Sequence, residues 1–273
     1  MTERSREFTL SAVLMLAGFT LNAVVTLTLL PSEEADDNVA IFTAYADSGA
    51  WVAAHLVQFV AILLGLAGLF VLARVLRPEA PHLAALAAAG AVTTAAAWAL
   101  VQAVDGVALK LAIDAWVDAS RPEEARRFAN AETVLWVGWG VQSFFYLGYG
   151  LTLVLFGIVV TISRRFGAWL GWVAVTAGLL SLAIGIDVAY RGSETEFHEL
   201  AGVGYQLLTL AFVVGILVAE LRPGASWARR SARAAPMTVP PHPSRTRDRP
   251  GASRARPPDV TSNLAQRLDR RES

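Results

Sequence analysis

Nine polar side chains interrupt long apolar stretches of this sequence, and they are the residues that could bind a ligand or support chemistry. These side chains carry carboxamides, carboxylates or imidazoles, and they belong to Asn22, His55, Gln58, Gln102, Asp105, Gln142, Asp187, His198 and Gln206. A charged group in lipid costs about 2.5–3.5 kcal/mol even on a lenient insertion scale, so such residues turn toward the protein interior or toward water. The residues therefore predict a polar layer that binds a small ligand or a lipid headgroup.

Spacing and depth favour one shared layer. His55 and Gln58 are three residues apart, as are Gln102 and Asp105, so each pair is expected on one face of its helix. At about 1.5 Å per residue, most of the nine residues lie within roughly 5–14 Å of the same membrane boundary. We expect a shallow cavity that opens to the outside, above an apolar cytoplasmic half.

A purely structural network explains the same residues. Asp105 could pair with Lys110 or with Arg191, and Asp187 could meet Arg191 four residues later. Glutamines at this depth hold helices together, and each such contact contributes about 0.6–2 kcal/mol. The sequence is compatible with both interpretations, a ligand pocket and a structural network.

The sequence gives little support to an enzyme. A metal-dependent intramembrane hydrolase needs three or more converging ligands, and the available ones are His55, His198, Asp105 and Asp187. The chain has no HExxH motif, no GxSxG elbow, no phosphate-binding P-loop and no cysteine. We therefore favour a non-enzymatic binding or accessory protein, with no catalytic residue, metal or cofactor. The alternatives are a small transporter or channel subunit and, second, the metal-dependent hydrolase.

Six apolar stretches must position these side chains. Each has more than twenty residues, and about 20 residues of helix cross the roughly 30 Å hydrocarbon layer. Backbone amides find no water at that depth, so only helices or closed barrels satisfy them, and the two-residue alternation of a barrel strand is missing. The sequence predicts an all-α polytopic membrane protein, in which residues 1–221 form a bundle of six transmembrane helices at about 8–30, 51–73, 83–109, 133–160, 168–190 and 199–221.

The distribution of arginine predicts the orientation. Arginines flank alternate helix ends, at positions 4 and 6, 74 and 77, 164 and 165, and from 222 onward. Positive charge is biased toward the cytoplasm, so both termini are expected there. The chain contains 22 arginines but a single lysine, which is typical of a GC-rich bacterial genome. The expected location is the bacterial plasma (inner) membrane.

The longest outer connection, residues 110–132, contains a helix start signal. Ser120-Arg-Pro-Glu123 has the pattern of a capping box with proline in the first turn. It predicts either a short interfacial helix or an outward extension of the fourth span.

The last segment, residues 222–273, differs from the rest. It holds 8 of the 12 prolines and 12 arginines against 4 acidic residues, whereas residues 1–221 carry a net charge of −8. Such a composition predicts a disordered cytoplasmic tail. The expected partners are the lipid bilayer, anionic lipid headgroups at this basic tail, and a second copy in a homo-oligomer. Nucleic acid is disfavoured, because Trp227 is the one aromatic residue in the tail.

Three motifs carry a resemblance to a known group of proteins. They are Val104-Asp105-Gly106-Val107-Ala108-Leu109-Lys110, Ala131-Glu132 with Trp136, and the passage from Gly150 through Phe156-Gly157 to Trp169-Leu170-Gly171-Trp172. Over residues 8–221 the chain resembles an uncharacterised family of multi-pass membrane proteins, a domain of unknown function, from GC-rich bacteria. The resemblance implies six helices and a plasma-membrane location, and it implies no activity or site residues.

Overall fold

The fold is a bundle of long helices. The computed structural model describes residues 3–31, 37–163, 165–193 and 195–221, and in these ranges it contains no strand. The helices are α1 Glu3–Leu29, α2 Asn38–Asp47, α3 Trp51–Leu76, α4 Pro81–Val101, a π-helical segment Gln102–Leu109, α5 Lys110–Val117, α6 Arg121–Ile162, α7 Ala168–Arg191 and α8 Glu196–Leu221. Because α4, the π-helical segment and α5 are continuous, the described residues contain six helices long and apolar enough to cross a membrane.

The prediction of an all-α, multi-pass membrane protein with six spans is therefore confirmed. Apolar helices of this length are consistent with a lipid bilayer environment. The predicted tail, residues 222–273, lies outside the described residues.

The six long helices pack as a closed ring. Each one contacts its neighbour along the chain, in the order α1, α3, α4, α6, α7 and α8, and α8 returns to α1. Large apolar side chains such as Leu69, Leu153, Phe156 and Phe212 fill the interior and are fully buried. The ring fixes which polar side chains can meet, because neighbours in sequence are also neighbours in space.

Glycines allow close helix contact between α6 and α7. A Cβ atom on Gly150 would lie 2.7 Å from the carbonyl oxygen of Gly178, and one on Gly178 would lie 2.6 Å from that of Gly150. Lipid tails are as apolar as leucine, so helix association in a membrane depends on this kind of close packing. The contact fixes α7 against α6, and α7 carries one of the candidate polar residues.

Two spans are longer than predicted at the end of the bundle where α2 lies. The third continues to Val117, and the fourth begins at Arg121, so the predicted extension of the fourth span beyond residue 133 is confirmed. The predicted capping box is wrong, because the Ser120 side chain makes no cap hydrogen bond. Its partner Glu123 instead accepts a hydrogen bond from Arg126 at 2.6 Å.

A short helix, α2, covers part of this end of the bundle. Asp37 caps it by accepting a hydrogen bond from the Ala40 backbone N–H at 2.8 Å. Its buried residues Ile41 and Phe42 pack with Leu109 of the π-helical segment, and with Ile113 and other apolar residues of α5 and α6. Helix α2 was not predicted, because its ten residues are too short to cross a membrane and follow an acidic stretch of sequence.

Candidate functional site

His55 lies in the first turns of α3 and contacts two oxygen atoms. Its side chain is 4% exposed. Its Nδ1 atom is 2.8 Å from the Trp51 carbonyl oxygen, and its Nε2 atom is 3.3 Å from Asp105 Oδ2. A carbonyl oxygen only accepts, so Nδ1 carries a hydrogen and donates it. The imidazole therefore joins the Trp51 backbone to the Asp105 carboxyl group.

The π-helical segment brings Asp105 to His55. A Cβ atom on Gly106 would lie 2.5 Å from His55 Cβ, so the missing side chain allows the two helices to approach. Trp51 makes a second contact between α3 and the π-helical segment, because its indole N–H donates to the Asp105 carbonyl oxygen at 3.3 Å. Short π-helical turns occur frequently at functional sites in proteins.

The π-helical turn also separates Gln102 from Asp105, which were expected on one face of the helix. Its i to i+5 hydrogen bonds put more residues into each turn, so a spacing of three no longer returns to the same side. Gln102 is buried and its Oε1 has no hydrogen-bond partner among the described residues, whereas the Asp105 side chain is 41% exposed. The expected pairing of Asp105 with Lys110 is wrong, because Lys110 donates to Asp114 at 2.5 Å instead.

Gln58 links α3 to α1. Its amide donates to the Thr26 hydroxyl at 2.8 Å, and that hydroxyl donates to the Asn22 backbone carbonyl at 2.9 Å. The Asn22 side-chain oxygen is buried and has no partner among the described residues. We call Asn22, Thr26, His55, Gln58 and Asp105 the His55 group.

A second set of polar residues lies where α7 ends and α8 begins. The Asp187 carboxylate forms an ion pair with Arg191 and accepts a hydrogen bond from the Thr195 hydroxyl. The Asp187 side chain is 3% exposed and that of Arg191 is 64% exposed. The predicted pairing of these two residues is confirmed. We call Asp187, Arg191, Thr195 and His198 the Asp187 group.

The turn between α7 and α8 holds the Asp187 group in place. Gly192 adopts a φ of 81°, which favours glycine, and a Cβ atom there would lie 2.7 Å from the Trp139 ring. The Thr195 hydroxyl accepts a hydrogen bond from the His198 backbone N–H at 3.0 Å, which caps the start of α8. One hydroxyl thus fixes both the helix start and the buried carboxylate.

The remaining predicted residues do not complete a single layer. The His198 ring packs edge-on against Tyr146 at 5.6 Å, and its buried Nδ1 atom has no partner among the described residues. Gln142 is half-buried on α6, one turn before Tyr146, whereas Gln206 is exposed on α8. In the described part of the chain, no side-chain hydrogen bond or ion pair joins the His55 group to the Asp187 group.

A cavity of about 280 Å³ opens beside the Asp187 group. It is lined by Ala183, Ile186, Asp187, Tyr190, Arg191 and Phe197. Ligand pockets usually measure about 300–1,000 Å³, so this one suits a headgroup or a similarly small molecule. Its walls are mainly apolar, and the guanidinium of Arg191 is the exposed charge in them.

The four side chains considered as metal ligands do not gather. His55 contacts Asp105, while His198 and Asp187 belong to the other group. Across the described ranges, no three His, Asp or Glu residues come close enough to hold a metal ion together.

Comparison with protein-family models, with curated proteins and with solved structures finds no match to this chain. Function is therefore inferred from the geometry of the two polar groups.

Proposed function

We propose that this protein is a non-enzymatic binding or accessory protein of the membrane, which holds a phosphate-bearing lipid headgroup in the cavity beside Asp187. The observation that carries the proposal is the cavity itself, where an exposed arginine is anchored by a buried carboxylate. A small soluble phosphate compound has the same chemistry and is the competing ligand.

Arg191 is suited to this role because only part of its guanidinium is engaged. The group has five N–H donors in a fixed fork, and the contact with Asp187 uses one nitrogen. The other donors can form charge-assisted, bidentate hydrogen bonds with phosphate. Asp187 holds the guanidinium in one place, so less rotamer freedom is lost when a ligand binds.

The apolar walls favour a lipid over a fully hydrated molecule. Ile186, Tyr190 and Phe197 are all exposed and line the cavity near the ends of their helices. Aromatic rings prefer the headgroup layer of a membrane, so the cavity has the depth expected for a glycerol–phosphate unit. Acyl chains could continue along the apolar surface of α7.

The proposed location is the bacterial plasma membrane, with both termini in the cytoplasm. Arg6, Arg74, Arg77 and Arg165 lie at one end of the bundle, whereas the Asp187 cavity lies at the other. The positive-inside rule assigns the arginine-rich end to the cytoplasm, so the cavity faces the outer leaflet.

Single-cysteine labelling tests this orientation, since the chain has no cysteine of its own. Gly49→Cys, in the exposed turn between α2 and α3, should react with a membrane-impermeant maleimide in intact cells. Pro78→Cys, in the exposed turn between α3 and α4, should react only after permeabilisation. The opposite pattern would reject the outward-facing cavity.

Native mass spectrometry of the protein released from mixed-lipid nanodiscs tests binding. The wild type should retain phospholipid, and Arg191→Gln should reduce retention about fivefold, from a contribution of about 1 kcal/mol per basic residue. Arg126→Gln is the matched control, because Arg126 is equally exposed but pairs with Glu123 outside the cavity. Equal retention by all three proteins would contradict the proposal. Competition by glycerol 3-phosphate, but not by excess phospholipid, would assign the cavity to a soluble ligand instead.

One observation favours a second candidate function, a small transporter subunit. The imidazole of buried His55 contacts the carboxyl group of half-exposed Asp105, which lies on a π-helical turn, and proton relays in transporters are built from such side chains. Solute or proton flux in proteoliposomes should then be lost in Asp105→Asn and kept in Arg191→Gln. The absence of flux from the wild type would leave the lipid-binding role as the sole proposal.

A further inference from the structure

The opposite end of the bundle contains a second cavity that the proposed function does not use. It measures about 360 Å³ and lies between the end of α3 and the start of α4. Its wall includes Phe70, Arg74, Arg77, Ala85, Ala88 and Ala89.

Two guanidinium groups face this cavity. Arg74 and Arg77 are three residues apart near the end of α3, so their side chains leave the helix on the same side. Both are exposed, and neither forms an ion pair with any other described residue. Two unneutralised cations at one opening create a local preference for an anion, and guanidinium groups match phosphate geometry.

The rest of the wall suits a hydrocarbon chain. Ala85, Ala88, Ala89 and Val92 follow each other at helical spacing on α4, and they leave a shallow groove opposite Phe70. Val92 lies eleven residues after Pro81, which is about 16 Å along the helix. That depth is close to half of the roughly 30 Å hydrocarbon layer, the reach of one leaflet.

We infer that this groove is a binding site for one anionic phospholipid of the leaflet next to the α3–α4 turn. The phosphate lies between Arg74 and Arg77, and one acyl chain follows the alanine face of α4. The two arginines decide between a lipid and a second copy of this chain, because a paired copy would bring like charges together at the same opening.

A fluorescence-quenching experiment reports on this groove alone. A fluorophore is attached to Leu86→Cys, an exposed position next to Ala85, in the otherwise cysteine-free chain. Phospholipids with a spin label on the acyl chain then quench the fluorophore in nanodiscs. The ratio of quenching by phosphatidylglycerol to quenching by phosphatidylcholine measures the preference for an anionic headgroup.

In this labelled background, Arg74→Gln with Arg77→Gln should remove the preference for phosphatidylglycerol, a loss of about fivefold per arginine. The conservative pair Arg74→Lys and Arg77→Lys should keep most of it, which separates charge from folding. Arg121→Gln, an exposed arginine at the other end of the bundle, is the matched control.

The shape of the groove is tested separately. Ala89→Leu should reduce quenching by both lipids, while Thr93→Leu, an exposed position outside the groove, should not.

An unchanged lipid preference in a monodisperse Arg74→Gln, Arg77→Gln protein would overturn the inference. Efficient disulfide formation between copies through Ala89→Cys, unaffected by added phosphatidylglycerol, would also overturn it and assign the groove to a dimer. Arg191→Gln should leave the quenching ratio unchanged. The experiment therefore tests the groove separately from the lipid site proposed beside Asp187.

Discussion

The His55 group and the Asp187 group reverse each other in burial and charge. In the first, the imidazole is buried and the exposed partner is a carboxylate; in the second, the carboxylate is buried and the exposed partner is a guanidinium. The first joins helices that are far apart in sequence, whereas the second is built from the end of α7, the following turn and the start of α8. The first group therefore exposes a carboxyl group and the second exposes a guanidinium. The residues predicted to share one layer thus include two separate groups that expose different functional groups.

The imidazoles should show the largest difference between the groups. His55→Ala removes contacts with Trp51 and Asp105 from a buried position. Because it both breaks a buried hydrogen bond and leaves a cavity, it should destabilise the protein by about 2–4 kcal/mol. His198→Ala removes a side chain whose Nδ1 has no partner among the described residues, so its cost should be under about 1 kcal/mol. Melting temperatures in mild detergent measure both. Equal losses would mean that the His55 contacts do not stabilise the bundle.

Two glycines in the long helices test the packing around the His55 group. Gly106→Ala places a Cβ atom 2.5 Å from His55 Cβ and should cost about 1–3 kcal/mol through overpacking. Gly140→Ala meets nothing within 4 Å and should instead stabilise helix α6 by about 0.5–1 kcal/mol. The measurement is the midpoint of thermal unfolding. A stabilising Gly106→Ala would contradict the close contact between the π-helical segment and α3.

Two glutamines test whether the predicted layer is continuous. Gln58→Ala removes a buried amide and leaves the half-buried Thr26 hydroxyl without its donor, at a cost of about 1–3 kcal/mol. Gln206→Ala changes an exposed residue and should stay within about 0.5 kcal/mol of the wild type. A large loss of stability in Gln206→Ala would instead support the single polar layer that the sequence predicts.

The smallest expected effect belongs to the cap of α8. Thr195→Val removes the hydroxyl that caps α8 and donates to Asp187, and loss of a helix cap costs about 1 kcal/mol. Phospholipid retention should also fall, because Asp187 then holds Arg191 less rigidly. Thr195→Ser should restore both properties. Normal lipid retention in Thr195→Val would show that the hydroxyl does not position the site.

Length and hydrophobicity were enough to predict the six spans, because about twenty apolar residues in lipid have few structures open to them. The helix ends were harder. The third span continues past Leu109 into the charged residues of α5, where the apolar pattern stops but the helix does not. The π-helical turn leaves no recognised mark in the sequence, and its effect on Gln102 and Asp105 was therefore missed.

The two polar groups also differ in how far the sequence could predict their contacts. Asp187 and Arg191 are four residues apart on one helix, a spacing that predicts contact, and the contact is confirmed. His55 and Asp105 are 50 residues apart, and their contact depends on how α3 packs against the π-helical segment. No single-helix spacing rule reaches that far.

An electron cryomicroscopy map of the protein in lipid nanodiscs tests the central claim most directly. Lipid phosphate density within hydrogen-bond distance of the Arg191 guanidinium, with no headgroup at His55 and Asp105, is the predicted result. A headgroup bound at Asp105, or a cavity at Arg191 that holds no phosphate in a well-resolved map, would contradict the account.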